Sequence, residues 1–191
     1  MVDITGHDDS PPAPGDLELL QRFLNLHDHD PSGRGTDPPR EVVRDFLVAR
    51  GLLEPEQRFT EANRETYLEL RRALRDLIAA SEHGTPSTAN AELLDRLGVE
   101  AGLHPHFHVG RTPTLEPRGE GVAAAFGAIV ALAFLASFDG TFEHLRLCAA
   151  DDCRAVFYDR SKNHSGRWCS MDVCGNRAKV RAWRERQKAA T

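Results

Sequence analysis

Cys148, Cys153, Cys169 and Cys174 are the only cysteines of this 191-residue chain and fall within its last 44 residues, spaced C-x4-C, fifteen intervening residues, C-x4-C. Two close thiol pairs at that separation point to a tetrahedral metal site, and four sulfur ligands select zinc at about 2.3 Å per bond. Disulfides and free core thiols are the alternatives. With no export signal the chain is expected in a reducing compartment, where disulfides seldom persist. Four protein ligands leave no open position, so one zinc ion held this way is structural rather than catalytic.

The x4 gaps are wider than the common x2, and each pair needs its own geometry. Around the first pair, Leu145 and Leu147 precede and Val156, Phe157 and Tyr158 follow. That pattern predicts a hairpin with AADD as the knuckle between ligands, Asp151 and Asp152 shaping its turn. In the second pair Ser170 can cap a following helix, which makes Cys169 N′ and Cys174 N4, the two positions a hydrophobic staple brings together. Both sulfurs then lie near the positive end of the helix dipole, where thiolates are favoured. A module of this size buries little apolar surface, so zinc is expected to supply its folding energy.

A second set of donors is His104, His106 and His108, which alternate and would share one face of a strand. Two such imidazoles with Glu116 or Glu120 could chelate a metal, although Pro105 interrupts the pattern and no H-E-x-x-H accompanies it. His27-Asp28-His29-Asp30 poses the same question and is better explained by turn chemistry. No phosphate loop, G-x-S-x-G elbow or dinucleotide fingerprint is present, and the expectation is that the protein is not an enzyme.

The elements that must position these groups are mainly helical. Leu17, Leu20, Phe23 and Leu24 predict a first helix capped by Asp16; DPPREVVRDFLVARGLL predicts a second, with Pro39 at its start and Gly51 at its end. A third helix, about Glu56 to Ala80, puts Tyr67, Leu70, Leu74, Leu77 and Ile78 on one face and leaves Arg71, Arg72 and Arg75 for solvent. A short helix, AELLDRLG, follows, then the body's hairpin in LHPHFHVGRTPTLEPRG and an alanine-rich helix up to about Asp139. The fold class is therefore mainly α with a small β-hairpin (α+β): a flexible lead over 1–15, a helical body over 16–140, and a four-cysteine zinc module over 141–191, hairpin then helix, treble-clef-like.

Charge divides the chain in the same way. Residues 1–140 carry 13 basic against 23 acidic residues, and residues 141–191 carry 11 against 6. A basic tail on an acidic body is expected to meet an anionic partner. The apolar stretch from Val122 to Phe138 is 17 residues long, short of the roughly 20 a membrane span needs. The acidic, proline-rich start lacks the features of a signal peptide, and a cytoplasmic location with no membrane partner is expected.

Cys174-Gly175-Asn176-Arg177, with both C-x4-C pairs and the basic AKVRAWR that follows, resembles the CGNR zinc-finger family over roughly residues 140–190. In that family the finger follows a helical ABATE domain described as belonging to stress-induced transcription regulators. Phe23-Leu24-Asn25, Phe46-Leu47 and Gly51-Leu52-Leu53 are similar to that domain, with Leu26 where the family often has Thr. The resemblance implies a DNA-binding regulator whose body senses a small-molecule ligand or associates, as a homodimer.

On the last helix Arg177, Arg181, Arg184 and Lys188 are spaced 4, 3 and 4 apart and share one stripe, which Arg160, Lys162 and Arg167 could extend; phosphate binding is its natural use. Val173, Val180 and Trp183 form a separate apolar line expected to pack inward. Gly175 and Asn176 are expected to support the metal site, Gly175 by close backbone approach and Asn176 by hydrogen bonding. The alternatives to DNA binding are a protein-interaction module and a small metal-dependent enzyme on the His104, His106 and His108 strand.

Overall fold

Leu17, Leu20, Phe23 and Leu24 recur at helical spacing because they form the inner face of α1 (Leu17–Asn25), and all four are buried. The structure is a computed structural model that describes residues 10–26, 28–29, 35–85, 87–110 and 112–189. Next comes a short antiparallel ladder of β1 (Asp28–His29) and β2 (Gly35–Thr36), a segment expected as turn and loop alone. His27 and Asp30 of the HDHD run, and Arg111 of the body's hairpin turn, lie outside the described residues.

Helix α2 (Arg40–Ala49) follows Pro39 and stops at Gly51, whose positive φ of 67° lets Leu52 N–H return to the Leu47 carbonyl at 2.9 Å. Helix α3 (Glu61–His83) begins five residues later than expected. Thr60 and Asn63 form a reciprocal capping box there, and this local bond set outweighs the helical pattern upstream of it. Helix α4 (Thr88–Glu100) leads into β3 (His104–His106) and β4 (Thr114–Glu116), paired antiparallel with His104 opposite Glu116 and His106 opposite Thr114.

Helix α5 (Gly121–Asp139) is the central apolar element, and Ala125, Phe126, Ile129, Ala133 and Ala136 enter the core. At 19 residues it is longer than the 17-residue stretch suggested, and among the described residues it is the one helix long and apolar enough to cross a membrane. Its near approach to the end of α4 depends on small residues: a Cβ on Gly127 would lie 2.2 Å from that of Ala101.

A 3₁₀ turn over Thr141–His144 carries the chain into β5 (Leu145–Leu147) and β6 (Val156–Tyr158), an antiparallel pair with Leu147 opposite Val156. Leu145 and Val156 are fully buried in the same core as α1, α3 and α5. The strands on either side of the first cysteine pair are thus shared between the two cores: Leu145 and Val156 enter the body, and Phe157 packs with the cysteines. Helix α6 (Asn176–Ala189) closes the described chain.

Three expectations change here. Arg71 and Arg75 do not face solvent: Arg71 Nε and Arg75 Nη1 donate to the Leu24 carbonyl at 3.0 and 3.2 Å, and of the three arginines only Arg72 is exposed. They satisfy an orphan carbonyl at the negative end of α1, which a helix end next to a long arginine invites. Within the lead expected to be flexible, Ser10 and Ala13 are buried, because Gln21 accepts from Ala13 N–H at 2.6 Å and donates to Ser10 Oγ at 3.1 Å, while Pro11, Pro12, Pro14 and Gly15 are exposed; residues 1–9 lie outside the described part. Val180 and Trp183 are 48% and 56% exposed, and of that apolar line only Val173 packs on the cysteine cluster.

Candidate metal centre

Cys148 follows β5 directly, and its N–H donates to the Ala155 carbonyl at 2.8 Å, which closes the strand pair over the knuckle. Within the knuckle the Cys153 and Arg154 N–H groups both return to the Ala150 carbonyl, and Arg154 takes a positive φ of 56°. The turn brings Cys153 back beneath Cys148.

The second pair is closed by the start of the last helix. Ser170 Oγ accepts from Val173 N–H at 3.3 Å, the expected cap. The first turn is wider than an α turn: residues Met171–Gly175 form a π turn in which Gly175 N–H donates to the Ser170 carbonyl at 3.0 Å. That extra residue per turn is how an x4 gap brings Cys169 and Cys174 to an Sγ–Sγ distance of 3.6 Å.

All four Sγ atoms lie within 4.8 Å of one another, with Cys153 to Cys169 also 3.6 Å. Four sulfurs about 2.3 Å from one ion at tetrahedral angles are separated by about 3.8 Å, close to the two 3.6 Å separations here, so the cluster suits zinc. Cys148, Cys169 and Cys174 are buried, among Ala150, Phe157 and Trp168. Thiols this crowded do not ionise independently. Hydrogen bonds from Cys153 and Cys169 hold the Cys148 thiol well below its ordinary value, and donating to it pushes Cys153 and Cys169 up. A divalent cation replaces those protons and removes the conflict.

Around the cysteines the candidate residues divide. Arg177 Nη2 donates to Cys174 Sγ at 3.2 Å and Nη1 lies 3.4 Å from Asp152, contacts that hold its guanidinium above its ordinary value. Arg181 reaches Asp152 at 3.7 Å and Asp151 at 3.9 Å. All four stripe residues are exposed; the first two also reach back to the knuckle, and Arg184 and Lys188 lie farther along α6. In the loop between the pairs, Arg160 donates to the Pro12 carbonyl at 2.5 Å and lies over the Tyr158 ring, Arg167 lies over Trp168, and Lys162 is exposed. A Cβ on Gly175 would come to 3.0 Å from the Met171 side chain, and Asn176 Nδ2 donates to the Asp172 carbonyl of the π turn at 3.0 Å.

Residues that the motif did not single out hold the module in place. Asp159 is buried, and its carboxylate accepts from Ser161 N–H at 2.9 Å and Gly166 N–H at 2.8 Å, ordering the loop between the pairs. Burial opposes its charge, but those N–H groups and Arg146 keep its carboxyl below the usual carboxylate range. Asn25 donates to the Val156 carbonyl at 2.8 Å and accepts from Val156 N–H at 2.7 Å. The Phe-x-Asn pattern was visible in the sequence; that its asparagine pairs with a strand 131 residues away was not.

On the body's hairpin the structure gathers His106, His108 and Glu116, whose donor atoms lie within 4.8 Å of one another. His104 is outside this group, and its buried Nδ1 has no hydrogen-bond partner among the described residues. Glu120 is not part of the group either.

Residues 144–187 match the family model of the CGNR zinc finger, and residues 17–140 match the ABATE model, described as "Putative stress-induced transcription regulator". No curated protein matches the chain in a sequence search. With the CGNR match and the sulfur geometry together, the centre is a structural site for one zinc ion.

Proposed function

The chain belongs to the ABATE family and carries a CGNR zinc finger, and from that premise we propose that it is a cytoplasmic DNA-binding regulator with a sensing or associating body (16–140) and a zinc module (141–191) that presents α6 to nucleic acid. The observation that carries this reading is the exposed basic surface of α6, which begins directly after the last zinc ligand turn. Six of its residues are basic and one is acidic, and Arg184 and Lys188 are exposed. Phosphates favour such a helix through counterion release.

In this reading Arg177, which reaches Cys174 and Asp152, serves mainly to orient α6, Arg181 makes longer ion pairs to the knuckle aspartates, and Arg184 and Lys188 contact phosphates, with Lys162 extending the surface. Duplex binding of the full chain measured at several salt concentrations tests this. Arg184→Glu/Lys188→Glu should weaken binding and lower the slope of log affinity against log salt by about 2, at about 0.9 for each phosphate no longer neutralised. Equal affinity and equal slope in the variant would remove the reading.

A second reading is a protein-interaction module. The exposure of Val180 and Trp183 on α6 favours it, because a large aromatic side chain is a usual anchor of a protein interface. In that case Trp183→Ala, rather than the charge reversals, would abolish association, and duplex affinity would be low throughout.

A further inference from the structure

The β3–β4 hairpin holds a donor set that neither the finger nor the helical core uses. His106 Nδ1 is 2.8 Å from Glu116 Oε2, and His108 Nε2 is 3.5 Å from Glu116 Oε1. The two imidazoles lie side by side with centroids 4.4 Å apart and planes tilted by 34°. Thr114 Oγ1 lies in the same group, 2.9 Å from His108 Nε2 and donating to Glu116 Oε1 at 2.6 Å.

The register of the hairpin explains the convergence. Thr114 is opposite His106 in the ladder, Glu116 is two residues on along the same face, and the chain turns at Val109 and Gly110 so that His108 folds back over Thr114. All three donors are at least partly open to solvent, so an ion could reach them.

We propose that His106, His108 and Glu116 form a second metal site, for an exchangeable divalent transition-metal ion of borderline softness such as Zn2+ or Co2+. Two imidazoles and one carboxylate are the donor types such ions take, at about 2.0–2.2 Å each, which places ligand atoms about 3.3–3.6 Å apart at tetrahedral angles and about 3 Å apart at right angles. The spacings from the Glu116 oxygens to the two ring nitrogens, 2.8 and 3.5 Å, lie within a few tenths of an ångström of those values. An ion would replace the hydrogen bonds to Glu116 with only side-chain rotation, Thr114 Oγ1 remaining as a partner for the carboxylate. The site differs from the sulfur centre in every property that governs exchange: it has three protein ligands instead of four, none of them a thiolate, and open coordination positions. It gives the body an inorganic ligand to sense, and it does not depend on whether α6 binds DNA.

The test uses the full chain with zinc already in its four-cysteine centre. Co2+ is added under a chromophoric competing chelator, and both uptake and the visible spectrum are recorded. One further equivalent should bind, with weak d–d bands and without the intense near-ultraviolet thiolate charge transfer of a cysteine site. His106→Gln/His108→Gln should lower Co2+ affinity at least about 100-fold, and Glu116→Gln about 10-fold or more, given how strongly even supporting groups affect metal affinity. His104→Gln, on the same hairpin but outside the donor group, should bind as the parent does and controls for disruption of the hairpin. Failure of the zinc-loaded chain to take up Co2+, a charge-transfer band on uptake, or parental affinity in the double histidine variant would each overturn the proposal.

Discussion

Asn25 shows how a single side chain joins two parts of the molecule. β6 has one edge paired with β5 and another edge open, and the primary amide of Asn25 offers that open edge a donor and an acceptor in the arrangement a neighbouring peptide would. Val156 is fully buried, so no water can replace the amide. Asn25→Ala should therefore destabilise the protein by about 1–3 kcal/mol, as the Val156 N–H is left without a partner and the Val156 carbonyl keeps only the longer bond from Gln21 Nε2 at 3.4 Å. Asn25→Asp should be no better, because its carboxylate can accept from the Val156 N–H but meets the Val156 carbonyl with a second acceptor. Urea unfolding of the two variants against the parent checks both. Tyr67 works alongside: its hydroxyl donates to the carbonyls at the end of α1, Phe23 at 3.2 Å and Leu26 at 3.4 Å, and burial holds its phenol well above the usual range.

Among the elements, α4 and α5 are matched by what they lack. An alanine in the middle of a helix is worth about 1 kcal/mol over glycine, yet at Gly127 the added methyl would overlap Ala101, whose own Cβ has no freedom to move. The strain of overpacking, about 1–3 kcal/mol, should win. Gly127→Ala is expected to lower thermal stability, and Ala101→Gly in the same chain should restore most of the deficit; equal and additive deficits in the double variant would show that the two helices do not meet there. Helix α6 is the opposite case. Its first turn is dictated by the metal site, where the π turn lets two cysteines five residues apart face one ion, and its outer turns are specified by little except their own charge.

For the whole molecule the consequence is that the finger has two sources of stability. Its strands are seated in the body through Leu145 and Val156, burial worth about 1.5–3 kcal/mol for each side chain, whereas the knuckle, the π turn and the orientation of α6 depend on the ion. Zinc removal by a strong chelator should therefore unfold α6 and the cysteine loops and leave the body and the β5–β6 pair intact. Amide exchange should show protection disappearing over 148–155 and 169–189 and kept at Val156 and Phe157. A fragment of residues 141–191 loaded with zinc should show little protection in β5 and β6, since it lacks α1 and α3; strands that stay protected in isolation would show that the metal alone folds the module.

The cysteine spacing, the CGNR tetrad and the helical periodicities were enough to identify the zinc ligands, the Ser170 cap and the inner faces of α1 and α3, because each rests on residues close in sequence or on chemistry that only one ion satisfies. The hairpin of the body was legible too, but not which histidines converge: His106 and His108 meet Glu116 because of where the turn folds, and His104 is left out. Likewise the charges of α6 could be counted in the sequence, while the direction each one takes could not. Arg177 and Arg181 turn to the knuckle aspartates, Arg71 and Arg75 turn to the end of α1, and Val180 and Trp183 stay at the surface. Local bonds and metal chemistry are written in neighbouring residues; which arginine finds which carbonyl or carboxylate is decided by the packing angle between elements, and that angle exists only once the core around Leu145, Val156 and α5 has formed.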